Sequence, residues 1–228
     1  KCVMKKTADK GLILLINRYQ IINVRHSGFS PWEACHIFSG SIINKQKKPI
    51  KAYFYNGKAP WDDMKEVEEP CFTIPVSIMV KEVASKICRE VFNFHSSDEK
   101  IQELTTIINS EKINAETNPY DRPFWKVLEL GYTNNPNAVE PLKKYSQDSD
   151  PFFSSCALTS IGVLKAEDQV DFLMQRYKTG GFNDRYMAAK AIGDIGTQKA
   201  IEILQDMKKD PGYNNEIGLK ECLNLYAP

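Results

Sequence analysis

The residues best able to act as nucleophiles, bases or soft metal ligands are six cysteines and three histidines, and their placement points to none of these roles. Cys2, Cys35, Cys71, Cys88, Cys156 and Cys222 contain no C-x-x-C pair. His26, His36 and His95 lack the spacing that brings ligands together on a tetrahedral metal. Scattered thiols in a chain this long need not form staples, so free cysteines are expected, as is a reducing cytoplasm. Secretion or a periplasmic location remains the alternative, because the chain opens at Lys1 and its native start is not evident. Nucleophile elbows, zinc-binding H-E-x-x-H helices, P-loops and dinucleotide fingerprints are all missing. The expectation is no catalytic residue, no metal and no cofactor.

Two other patterns could do chemistry through recognition. Lys45, Lys47, Lys48, Lys51 and Lys58 are interleaved with Tyr53, Tyr55 and Trp61. Cations that track phosphates and rings that stack on bases suit single-stranded nucleic acid, and the same pattern suits an anionic membrane surface or an acidic protein; the competing expectation is that the rings pack on the end of the repeats while the lysines face water or the acidic repeats. The second pattern is a set of polar residues that recurs at fixed intervals: Glu140, Asp171 and Glu202, then Lys144, Gln175 and Asp206. Charge is divided unevenly along the chain. The total is +1, but residues 1–60 carry a formal +9 and residues 61–228 a formal −8. Neutrality therefore belongs to the total alone, and what it excludes is a uniformly basic surface.

These intervals come from an internal repeat. Segments beginning at Asp121, Phe152 and Asn183 align without a gap at an offset of 31 residues. In register stand Gly131, Gly162 and Gly193, then Val139, Val170 and Ile201, then Leu142, Leu173 and Leu204. Apolar residues keep helical spacing, as in Ala188, Ala191, Ile192 and Ile195. Asp150-Pro151 predicts a helix start, Thr197 a cap, and Asn137–Glu140 and Ser96–Glu99 capping boxes. Each repeat glycine is expected to give the left-handed turn or close approach that reverses the chain. Leu219 to Tyr226 predicts a terminal half-repeat, with Asn224 where the glycine would stand. Asn93 and Leu104 predict a divergent fifth unit.

The segment AAKAIGDIGTQKAIEILQDMKKD resembles the short HEAT-like repeat of the phycobilisome-lyase type, best over Tyr186 to Asp210 and well over Asp121 to Tyr177. Bilin lyases, adaptors, DNA glycosylases and toxin-neutralising proteins carry such repeats, so the resemblance implies an architecture and not a reaction. It implies a mainly α fold, an α-solenoid of four to five helical hairpins over residues 71–228. In such stacks the second helix of each hairpin lines a concave face, which would place the two recurring polar rows there. No feature suggests a tetrapyrrole site.

Before Pro70 the register vanishes. Lys10 to Arg25 and the segment opening at Ser30-Pro31-Trp32-Glu33 are expected as two helices, and Pro49 to Trp61 as a short β-hairpin turning at Asn56-Gly57 or an extended arm. The expected organisation is a basic, aromatic N-terminal region, 1–70, followed by the repeats. The expected function is a non-enzymatic scaffold binding a protein partner on the concave face, with no membrane span; a nucleic-acid binder or HEAT-like glycosylase is the alternative. A mixed-sign groove favours protein, because a duplex needs consistent positive charge.

Overall fold

The computed structural model describes residues 11–25, 27, 30, 32–43, 47–59, 68–113 and 124–228. The described residues are mainly helical, with one three-stranded antiparallel sheet. Its strands are β1 (Leu14–Val24), β2 (Trp32–Ile42) and β3 (Lys48–Ala59), in the order β1-β2-β3.

The sheet corrects the two helices expected near the N-terminus. Central β2 is buried on both faces from Ala34 to Phe38, so neither alternation nor helical periodicity survives in its sequence. The Ser30 signal is real but closes a loop. Ser27 Oγ accepts from the Ser30 amide and Ser30 Oγ from the Ser27 amide, at 3.1 and 2.9 Å, which ties the β1–β2 connection. Asn56-Gly57 is not a turn either. Trp32 pairs with Ala59 and Ala34 with Asn56, so β3 carries one extra residue there, a bulge. A second bulge lies between Ile16 and Arg18 on β1, opposite Gly40. A Cβ on Gly40 would come 2.7 Å from the Leu15 carbonyl.

The helices are α1 (Ile74–Phe92), α2 (Asp98–Ile113), α3 (Phe124–Tyr132), α4 (Val139–Tyr145), α5 (Pro151–Val163), α6 (Val170–Thr179), α7 (Phe182–Ile195), α8 (Gln198–Met207) and α9 (Ile217–Tyr226). First helices α3, α5, α7 and α9 pack successively on one another. Second helix α4 packs on α5, and α6 and α8 pack on α7. The sheet covers the first-helix row as well: β3 packs on α7, β2 on α9, and the Phe54 and Phe152 rings meet at 6.4 Å. Covered from several sides, α5 is buried without a break from Phe153 to Val163, which is why its sequence is apolar all round.

The repeat glycines take one of the two roles expected of them. A Cβ on Gly131 would lie 2.7 Å from Ser160 Cα, one on Gly162 would collide with the Ala191 backbone, and one on Gly193 with the Tyr226 ring. They allow successive first helices to approach closely. The left-handed reversal falls three residues later, at Asn134 (φ 54°), Lys165 (φ 56°) and Gly196 (φ 69°). Asn93 (φ 49°) is the same kind of residue at the end of α1, so the first unit is out of the register expected for it.

Capping follows the sequence with one shift. Asp150 accepts from the Phe152 and Phe153 amides, and Thr197 Oγ1 from the Ala200 amide. The cap near α4 is Asn135, which accepts from the Asn137 amide ahead of Pro136, while Asn137 donates to Asp98.

Candidate functional site

Glu140 and Lys144 on α4, Asp171 and Gln175 on α6, and Glu202 and Asp206 on α8 are all exposed. The same helices bury Leu142, Leu173 and Leu204, whose spacing holds each helix down on its apolar side. Several of the polar residues have local partners: Lys143 lies 3.4 Å from Glu140, Lys199 3.1 Å from Asp171, and Lys209 2.7 Å from Asp206. The surface is of mixed sign, and its exposed pairs add little to stability.

The N-terminal pattern separates into buried rings and surface cations. Tyr53 and Tyr55, expected at a contact surface, are core side chains. Tyr53 donates to the Gly218 carbonyl at 2.8 Å, and the Tyr55 ring meets Tyr186 edge-on at 4.5 Å. Both rings are buried against helices, so they cannot stack on bases. Lys45 and Trp61 lie outside the described residues, as does the side chain of Lys58. The basic strands meet single carboxylates on the helices: Arg18 lies 2.9 Å from Glu221, and Lys48 pairs with Glu90.

Beneath the sheet lies an ionic cluster that no sequence pattern had singled out. Lys86 Nζ donates to Glu82 Oε1 and Asp194 Oδ1, both at 2.6 Å, and to the Lys51 carbonyl at 2.7 Å. Lys190 Nζ sits 2.9 Å from Glu82 Oε1 and 2.6 Å from Asp194 Oδ2, close ion pairs without hydrogen-bond alignment. Tyr226 donates to Asp194 at 2.7 Å. Burial opposes ionisation of Asp194, yet the two lysines hold its carboxyl below the usual range. The two carboxylates outweigh the desolvation of Lys190 and raise its pKa. The signal was present as two i,i+4 pairs of opposite order in apolar surroundings, Glu82-Lys86 and Lys190-Asp194. Because the orders are opposed, each lysine reaches a carboxylate on the other helix.

Above the cluster opens a cleft of about 270 Å³ between the start of β3, the end of α1 and the α7–α8 turn. Five cations line it, Lys48, Lys51, Lys86, Arg89 and Lys165, against two carboxylates, Glu90 and Asp194. Burial opposes ionisation of Glu90, but Lys48, Lys165 and Arg89 around it bring its pKa down to about 2. The Lys51 ammonium lies 5.9 Å above the Tyr226 ring, and no ion pair is formed by it among the described residues. Burial lowers its pKa, with Asp194 acting in the opposite sense.

Four of the described cysteines are poorly placed to act as nucleophiles. Cys35, Cys71, Cys156 and Cys222 are free and buried, and burial pushes the Cys35 thiol up to about 12 and the Cys71 thiol to about 11. His36 is buried with Nε2 2.7 Å from the Cys71 carbonyl, and burial lowers its pKa. No group of three or more His, Cys, Asp or Glu among the described residues could hold a metal ion, and no described helix is long and apolar enough to cross a membrane.

Residues 184–210, from the first turn of α7 to three residues past α8, match the PBS lyase HEAT-like repeat family. The chain carries a HEAT-like repeat. The match covers the helical pair whose Gly193 abuts Tyr226 and whose Gly196 turns the chain, and the two units before it share those landmarks at the same offset. No curated protein matches the chain.

Proposed function

We propose that this protein is a non-enzymatic adaptor, an α-solenoid of HEAT-like hairpins that binds a protein partner on the face formed by α4, α6 and α8. The observation that carries this reading is the exposure of both polar rows on three successive second helices: Glu140, Asp171 and Glu202, and Lys144, Gln175 and Asp206. Side chains that only solubilise a helix need not repeat in register, whereas a regular mixed-sign surface suits a partner that presents complementary charges. The three-stranded sheet covers the first-helix row, and its lysines form a second contact element apart from that face. The nucleic-acid alternative loses its support, because Tyr53 and Tyr55 are buried.

The experiment is site-specific cross-linking. A photoreactive residue at position 171 should give a discrete adduct with one partner protein, while the same group at position 102 on α2 should not. Equal labelling from both positions would contradict the assignment of the face.

A further inference from the structure

The cleft between β3, α1 and the α7–α8 turn is lined by more cations than carboxylates. Three flexible lysines, Lys48, Lys51 and Lys165, approach it from the sheet and from the second repeat; of the two lining carboxylates, Glu90 pairs with Lys48 and Lys165, and Asp194 is held by Lys86 and Lys190 in the buried cluster. Arg89 is already committed, donating to the Val163 carbonyl and lying 3.0 Å from Glu90, so it acts as part of the wall. Lys86 is spent on the buried cluster below.

A second observation comes from the backbone. The left-handed position that ends each first helix holds Asn134 in one unit and Gly196 in another, both residue types that tolerate that conformation. In the unit between them it holds Lys165. A lysine carries a steric cost there that its neighbours in the repeat avoid, and its side chain lines the cleft within 3.4 Å of Glu90. The half-buried Lys51 is the other anomaly, a cation over an aromatic ring with no ion-pair partner among the described residues. The remaining wall is apolar: Pro49, Ile50, Ile201 and the ring of Tyr226.

We infer that this cleft binds a small phosphate-bearing ligand, with the phosphate held by Lys48, Lys51 and Lys165 and a short organic body lying against Pro49, Ile50 and Ile201. Lysine suits a phosphate as a mobile point charge, and a cleft of about 270 Å³ has room for a phosphate with a short organic body. The site lies between the sheet and the repeats, and the inference stands independently of the adaptor reading.

Isothermal titration of the whole chain with inorganic phosphate and with glycerol 3-phosphate, against acetate at matched ionic strength, tests it. Both phosphates should bind and acetate should not; tighter binding of the ester assigns the apolar wall to a ligand body, and equal binding assigns the site to free phosphate. Lys51→Gln and Lys165→Gln should each weaken binding about tenfold, which is about 1.4 kcal/mol. Lys199→Gln on α8 should leave it unchanged. Lys165→Asn gives the same reading with a residue that fits the backbone, and circular dichroism verifies the fold of each variant. Absence of binding to either phosphate, or binding unaltered in folded Lys51 and Lys165 variants, overturns the proposal.

Discussion

The Lys86 ammonium donates to Asp194 Oδ1 at 2.6 Å across 108 residues of chain and joins α1 to the first helix of the HEAT-like unit. With Glu82 and Lys190 it completes a buried cluster of two positive and two negative charges. Desolvating four ions is expensive, so the cluster's effect lies in its balance: losing one member leaves an uncompensated buried charge.

Asp194→Asn should therefore cost about 3–5 kcal/mol of unfolding free energy. Lys190→Met combined with Asp194→Leu removes one charge of each sign and should cost less than the two single changes summed. Urea unfolding of the wild type, both singles and the double variant measures this; additive losses would show that the charges do not act as a unit.

Gly162→Ala should destabilise by about 1–3 kcal/mol, because the new methyl meets the Ala191 backbone, which cannot rotate away. Gly181→Ala, where nothing lies within 4 Å, should change stability by no more than about 0.5 kcal/mol. Thermal unfolding of the pair separates a close-approach role from a general cost of replacing glycine.

The repeat and its glycines were visible in the sequence because a fixed offset survives divergence. Their mechanical role was not, because sequence cannot tell a glycine that turns from one that is crowded. Asn134, Lys165 and Gly196 share a backbone state but no side-chain type, so the true turn position left no residue pattern. The sheet was lost for a different reason: β2 is covered on both faces, and with Cys35, Ile37 and Phe38 all buried its periodicity disappears. The ionic cluster is spread over two helices far apart in the chain, and only the three-dimensional fold brings its halves together.

Lys165→Gly should raise stability by at most about 1 kcal/mol by relieving the left-handed backbone, reduced by the loss of its pair with the largely buried Glu90. Chemical denaturation measures the gain. A clear loss would mean that the lysine contributes more through Glu90 than its conformation costs.

Glu90 makes stability dependent on pH in a defined direction. Its folded pKa, about 2, lies below the reference 4.5, so its contribution is complete above pH 4.5 and is lost as pH falls toward 2. Glu90→Gln should be less stable than the wild type at neutral pH and should lose less between pH 4.5 and about 2. Parallel decline of the two proteins over that window would remove Glu90 from the acid response.

The adaptor reading meets its most direct measurement in the repeat face itself. A variant with Glu140→Lys, Asp171→Lys and Glu202→Lys should keep its unfolding free energy within about 1.5 kcal/mol of wild type, since each site is exposed. In quantitative affinity capture from the native cell extract it should lose the partner that the wild type enriches, while a Lys100→Glu variant on α2 keeps it. Recovery of the same partner at the same level by the folded triple variant would contradict the reading.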